Sequence, residues 1–382
     1  MKVIIAGGGI GGLTTAIALQ QRGITCEVYD AAPANKALGA GIMLAPNAMT
    51  VFDKLGVGHA LRAHGAVARQ FYIRYYKGDV LQHIDGSLLQ QKFGSASYGI
   101  HRAALQQQLI EAVQTPVHWG KRCTRAEQTA EGVTVHFEDG TTASGNVLVG
   151  ADGIHSVLRE QHVAKARYRY SGQTCWRAIV PVNLPEREAA EASEVWGNGN
   201  GLRAMCMQVG PQQVYFWMTK RMPAGLKIPP EEALAFIKKE LRHFPGYMHN
   251  VMEHLQPEAL IHSDLYDIAP MRQWYNGRIV LLGDAAHATT PNLGQGAGQA
   301  IEDAYVLAKW LATEKNITSA FEKYQRQRRK RVHMLVRTSW QLARITNWKG
   351  PLLAALRNTL LKSVPAGIAE KQIDLVYGVQ LD

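Results

Sequence analysis

Three short segments of this chain combine glycine with a carboxylate in patterns able to hold a phosphorylated cofactor. In the first, KVIIAGGGIGGL over 2–13, the residues Gly7, Gly9 and Gly12 fit G-x-G-x-x-G. Glycines at that spacing let the backbone turn tightly and approach a pyrophosphate, while a helix N-terminus offers free N–H groups and the positive end of its dipole. Asp30 stands 18 residues beyond Gly12, where an acidic side chain can meet a ribose hydroxyl. The second segment, GADGIHSVLR over 150–159, places Asp152-Gly153 at a strand end before a helix start. The third runs from Gly283-Asp284 to Gly298 and includes Pro291, Gly294, Gln295, Gly296 and Ala297. A carboxylate closing a strand can accept from a ribose or ribitol hydroxyl. The N–H groups after Pro291 can face an electron-rich ring carbonyl.

These residues need a particular scaffold. Val3 to Ala6 reads as a buried parallel strand, Leu13 to Arg22 as a helix stopped by Gly23, and Thr25 to Tyr29 as a second strand. The stretch from Leu38 to Asn47 reads as a glycine-rich turn leading into a helix, with Pro46 near its start. Residues 71–85 alternate as antiparallel strands about a Lys77-Gly78-Asp79 turn, and His101 to Val113 is helical. Val133 to Thr141 forms half of a hairpin with Asp139-Gly140 as its turn, and 146–151 is a short apolar strand. From Tyr168 to Tyr266 the texture changes to alternating strands at 173–182, 203–209 and 213–219, with a helix at about 230–243. Residues 278–284 return to the buried-strand texture. The expected fold is therefore α/β, a Rossmann-like unit interrupted by an inserted antiparallel sheet, with long helices over about 302–343. The tail carries no sharp signal.

The bulk composition of the 382 residues, 46% hydrophobic and 19% charged, is that of a soluble globular protein. No apolar run reaches the ~18 residues of a membrane span. Cys26, Cys123, Cys175 and Cys206 form no C-x-x-C pair and suit free thiols in a reducing compartment, so a cytoplasmic setting is expected. No spacing suggests a metal site. The net charge of +11 gathers partly in Lys323, Arg326, Arg328, Arg329, Lys330 and Arg331. That run reads as a solvated helix face with no nucleic-acid motif beside it. Its nearness to Leu335, Trp340, Leu342 and Trp348 leaves membrane-surface contact open.

With all three segments in order, the chain resembles the single-component FAD-dependent aromatic hydroxylases, the group typified by para-hydroxybenzoate hydroxylase. Within that group it looks most like the FAD-dependent urate hydroxylases. The resemblance spans nearly the whole chain to about residue 340. It implies a discontinuous FAD-binding domain (1–70, 95–165 and 270–320), a substrate-binding sheet domain (71–94 and 166–269) and C-terminal helices (321–382). It implies that Gly7, Gly9, Gly12, Asp30 and Ala31 hold the ADP half of FAD, that Arg102 pairs with a phosphate, and that Asp284 binds the ribityl chain. Gly294 to Gly298 would lie against the isoalloxazine, with Met43 near it, where the subfamily has a Ser. Asp152 would support both FAD and a transient NADH or NADPH. In such enzymes O₂ adds to the reduced flavin at C4a, and the adduct hydroxylates a small aromatic or N-heteroaromatic substrate.

The resemblance further implies Arg203 and Tyr215 as the catalytic pair at the substrate, with Pro291 beside it. Arg177 stands where the subfamily has an Asn, which argues for a ligand shaped differently from urate. His155 and His287 read as packing or phosphate-side residues. An epoxidase or reductase of a lipophilic isoprenoid or quinone and a non-catalytic FAD redox protein are the alternatives. Substrate identity, NADH against NADPH, and monomer against homodimer stay open at this stage.

Overall fold

The structure is a computed structural model and describes residues 1–34, 40–379 and 381. A six-stranded sheet carries the N-terminal unit, in the order Tyr275–Asn276, Ile279–Leu281, Val147–Gly150, Lys2–Ala6, Thr25–Tyr29, Val117–His118. Lys2–Ala6 runs parallel to both neighbours, with Ile5 opposite Val149 on one side and Val28 on the other. Val147–Gly150 is parallel to Ile279–Leu281 in turn. The C-terminal ends of these three adjacent strands therefore lie side by side, and each is followed by one of the three glycine–carboxylate segments. Segments separated by more than a hundred residues meet at one sheet edge, the place where open α/β sheets bind ligands.

The first helix, Ile10–Gln20, starts at the glycines themselves rather than at Leu13. It is buried on nearly every side, because Gly11 lets it approach its neighbours. A Cβ there would lie 2.8 Å from Leu282 Cδ1 and 3.3 Å from the Ala300 side chain, on helix Gly296–Thr313. A three-stranded meander, Cys123–Gln128, Val133–Phe137 and Thr142–Gly145, packs beside this unit through Ala126, Val133, Val135 and Phe137.

The second sheet has seven strands, in the order Ile261–Ile268, Tyr168–Val180, Gln213–Arg221, Arg203–Gly210, Glu191–Trp196, Gln70–Tyr75, Val80–Asp85. Strand alternation gives it two distinct faces. Trp176, Ala178, Val180, Ala204, Cys206, Val214, Phe216 and Met218 form one core with helices Pro230–Leu241 and Gly246–His254. The intervening residues Ile179, Met205, Met207, Tyr215 and Trp217 form a second apolar cluster on the opposite face, joined by Met43.

The structure corrects several expectations. The expected turn before Pro46 contains a strand, Gly41–Leu44, paired antiparallel with Ser97–His101; Leu38 and Gly39 lie outside the described residues. The C-terminal helices expected over 321–382 are present, and in the tail, where no sharp local signal stood, they are Pro351–Lys362 and Ala366–Tyr377. The run Lys323–Arg331, expected on a solvated face, is partly internal. Arg328, on the 30-residue helix Ile317–Thr346, is only 2% exposed. The four cysteines are free, as expected.

Candidate active site

The three glycines of the opening motif do different jobs. Gly7 has φ +114°, and a Cβ on it would lie 2.2 Å from the Ala151 carbonyl oxygen. A Cβ on Gly12 would lie 1.9 Å from the Gly7 carbonyl oxygen. The fold itself forbids side chains at both positions. Gly9 caps helix Ile10–Gln20 with φ −77°, a conformation any residue adopts, and a Cβ there meets nothing within 4 Å. The open space in front of the helix N-terminus is what a pyrophosphate would fill, and no acidic residue in the first turn opposes one.

Asp30 sits beside this space and braces the loop. Its Oδ2 accepts from the Gly8 N–H at 2.6 Å and its Oδ1 from the Ala32 N–H at 2.7 Å. Ala31 is exposed next to it. Arg102 starts helix Arg102–Ala112, exposed, with its N–H donating to the Ala40 carbonyl at 3.1 Å. Its charge acts on both Asp284 and Tyr215, partly offsetting the effect of burial on each.

Asp284 is accessible to solvent, yet surrounding protein desolvates its carboxyl and raises its pKa. Among the described residues it has no hydrogen-bond partner, so its oxygens are available to ligand hydroxyls. Asp152 braces its own turn, accepting from the Leu158 N–H at 3.3 Å. Burial raises its pKa as well, and its Oδ1 is left without a partner. Pro291–Leu293 is a short helical turn ended by exposed Gly294 at φ +62°. Gln295 turns its side chain inward: its Oε1 accepts from Asn47 Nδ2 at 2.9 Å and from Gln299 Nε2 at 3.1 Å. From Gln295 only the backbone is left for a cofactor. Gly296 and Ala297 stay half-buried at the start of the helix, and a Cβ on Gly298 would press on Asn47 at 3.1 Å.

Asn47 and Gln295 belong to a buried polar cluster that reading the sequence missed. Asn47 Nδ2 donates to Glu302 Oε1 at 2.6 Å. Arg328 is the centre of the cluster. Its Nε donates to Asp303 Oδ1 at 2.7 Å, its Nη1 to Glu302, and its Nη2 to Gln299 Oε1 at 2.7 Å. Asp303 Oδ2 also meets His287 Nε2 at 2.5 Å and accepts from the Gly283 N–H at 3.1 Å. Burial would raise the Asp303 pKa, but the His287 and Arg328 charges outweigh it and hold it at about 2. Glu302 is held low in the same way by Arg328 and Arg331. His287 is thus a buried structural partner. The signal was present in two acids inside the apolar face of helix Gly296–Thr313, and in Arg328 sharing a helical face with Tyr324 and Val332.

On the sheet side, Arg177, Arg203 and Tyr215 share the face that carries Met43, Met205 and Met207. Arg203 is 3% exposed and already committed: Nη1 donates to Glu194 Oε1 at 3.0 Å and Nη2 to Asn292 Oδ1 at 2.6 Å. Only its Nε is unpaired. Arg203 therefore ties the sheet to the Pro291 loop, and Asn292 in turn donates to the Ser339 carbonyl at 3.0 Å. Tyr215 lies against Gly41, where a Cβ would come within 2.4 Å of its ring. Burial pushes its phenol far above the ordinary range, so it stays a donor. Arg177 is half-buried, with Nη2 donating to Ser263 at 2.8 Å and Nε unpaired.

A parallel sheet with a helix N-terminus open for a pyrophosphate, and an unpartnered carboxylate at the adjoining strand end, is the arrangement of a dinucleotide-binding protein. The FAD binding domain family matches residues 1–339, and the chain belongs to it. It is 35% identical to an aurachin C monooxygenase/isomerase from Stigmatella aurantiaca, covering 95% of this chain and 94% of that one. It is also 35% identical to an FAD-dependent urate hydroxylase from Klebsiella pneumoniae, covering 91% of each. The crystal structure of Klebsiella pneumoniae HpxO with FAD and uric acid superposes with a TM-score of 0.90 at 31% identity, over 100% of this chain and 98% of that one. The chain is an FAD-dependent monooxygenase by class.

Proposed function

We propose that the enzyme hydroxylates a planar aromatic or N-heteroaromatic ring whose body is apolar, held between the Tyr215 face of the sheet and the Pro291–Gly298 loop. The observation that carries this is the parity of the second sheet. It puts Arg177, Tyr215, Met205, Met207 and Trp217 on one face, which the Arg203–Asn292 hydrogen bond fastens to the loop. Bound FAD, reduced by NADH or NADPH, supplies the activation of O₂. Gly9, Asp284 and the backbone from Gly294 to Gly298 would hold it, with Arg102 and Asp152 beside them. Tyr215, protonated throughout the neutral range, would donate a hydrogen bond to an oxygen on the substrate ring. Arg177 would balance negative charge developing on that oxygen, through the guanidinium nitrogens Ser263 does not use. The methionines and Trp217 would keep water from the reacting ring.

Urate, polar around its whole rim, fits such a lining poorly once Arg203 is spent on Glu194 and Asn292. An alkyl-bearing heteroaromatic ring fits better, and the likeness to a 2-heptyl-3-hydroxy-4(1H)-quinolone synthase from Pseudomonas aeruginosa, 33% identical over 96% of this chain, supports that choice. The test is NAD(P)H oxidation and product analysis across urate, hydroxybenzoates and 2-alkyl-4-quinolones. An alkylquinolone should stimulate oxidation most. Tyr215→Phe should cut kcat/KM by about tenfold or more, with flavin content unchanged, as expected for losing one hydrogen bond to a charged oxygen. Faster turnover of urate than of any apolar ring would overturn the substrate assignment.

A further inference from the structure

The excess charge of the chain is concentrated in one region. Between Lys323 and Ala369 there are eleven basic residues and no acidic one, so the 31 basic and 31 acidic residues elsewhere cancel. Within this region helix Pro351–Lys362 presents an apolar stripe to solvent: Leu352 is 85% exposed, Leu353 44%, Leu356 50% and Leu360 55%. Ile345 and Ile368, on the flanking helices, are exposed too. The orientation of the helix is fixed from its other side. Ala354 and Arg357 are buried, Arg357 Nη2 donates to the Gly197 carbonyl at 3.3 Å, and its guanidinium lies 4.6 Å from the centre of the Trp196 ring. The leucines cannot turn inward without breaking that anchor. Arg344, Lys349 and Lys362 are exposed around the stripe.

We propose that this face docks the enzyme peripherally on an anionic lipid bilayer, with the leucines at the acyl boundary and Arg344, Lys349 and Lys362 among the headgroup phosphates. Among the described residues no helix is long and apolar enough to cross a membrane, which suits surface attachment. A second copy of the chain is the poorer occupant. A two-fold contact through this helix would set the same cations against each other. The acids near it are few or engaged: Asp79 meets Lys362 at 3.5 Å, and Lys92 holds Glu370 and Asp374 at 3.0 and 2.8 Å.

The test is co-sedimentation of the full-length FAD-loaded enzyme with phosphatidylcholine vesicles, with and without phosphatidylserine. Wild type should bind the phosphatidylserine vesicles at least about tenfold better, with binding lost as salt rises. The L356E/L360E variant should stay in the supernatant with its flavin absorbance and melting temperature unchanged. Should that variant lose flavin or stability, K349E/K362E decides, and its binding to phosphatidylserine vesicles should fall by about tenfold. Failure of wild type to sediment with anionic vesicles at low salt would overturn the proposal, as would wild-type binding by the variant that decides. A wild-type dimer that L356E/L360E converts to monomer would overturn it too, since a second copy would then cover the leucines.

Discussion

Gly9→Ala should separate cofactor binding from folding. At φ −77° and ψ −175° alanine is unstrained, and its methyl would meet nothing within 4 Å. Alanine is a weaker N-cap than glycine by roughly 0.5–1 kcal/mol, and by restricting the unfolded chain it returns a similar amount. The apoprotein should therefore keep its stability to within about 0.5 kcal/mol and its melting temperature to within about 2 °C. The same methyl stands where a pyrophosphate must approach the helix N-terminus, so FAD affinity should fall by at least about tenfold, or about 1.4 kcal/mol. Gly7→Ala and Gly12→Ala should behave in the opposite way. Their methyls would sit 2.2 and 1.9 Å from backbone carbonyl oxygens, and Gly7 also needs φ +114°. Each should destabilise even the apoprotein by roughly 3 kcal/mol or more. The measurements are thermal melts of flavin-stripped protein and FAD titration by fluorescence quenching. If Gly9→Ala binds FAD like wild type, or if its apoprotein melts as low as Gly7→Ala, the division of labour among these glycines is wrong.

Arg328→Met should cost about 3 kcal/mol in chemical denaturation, at the low end for breaking a buried ion pair, because Arg331 still serves Glu302 and His287 still serves Asp303. A loss below 1 kcal/mol would mean the cluster is not what holds these loops. His333 gives a pH prediction: burial pushes its pKa down from 6.5 to about 4, so the unfolded chain binds its proton first as pH falls. Stability should drop between pH 6.5 and 4 by on the order of 2 kcal/mol from this group. His333→Gln should flatten that part of the stability profile, and parallel profiles for the two proteins would refute the assignment.

The N-terminal unit was legible because its signals are local. An apolar β-branched run leads into glycines whose positions the backbone itself enforces. The faces of the second sheet were legible for the same reason, with Trp176, Ala178 and Val180 alternating against Arg177 and Ile179. Strand Glu191–Trp196 was missed because its pattern is local only in part. Glu191 is buried, and what makes that tolerable is Arg74, 3.0 Å away and more than a hundred residues earlier in the chain. Pro351–Lys362 falls among the helices expected over 321–382, but the way it faces was not legible. Its leucines repeat at helical spacing as a core-facing stripe would, and only the contacts of Arg357 with the Gly197 carbonyl and the Trp196 ring turn them to solvent.

The candidate site was legible as a set of motifs but not as a mechanical unit. Arg328 shows why. Within one run of cations Arg326 and Lys330 face solvent, while Arg328 is buried. What distinguishes them is the pair Glu302–Asp303 on another helix, which no local pattern reveals. A buried ion cluster is a weak source of stability compared with apolar packing. Its consequence here is positional. Asp303 grips the Gly283 N–H, and Glu302 grips Asn47, which holds Gln295. The loops that carry Asp284 and Gly294–Gly298 are thus tied from beneath by side chains, which leaves their outward backbone N–H groups free for the cofactor contacts proposed above. Arg203 completes the arrangement from the other side by binding Asn292, so the sheet face proposed for the substrate and the loop proposed for the cofactor are held against each other by the protein itself.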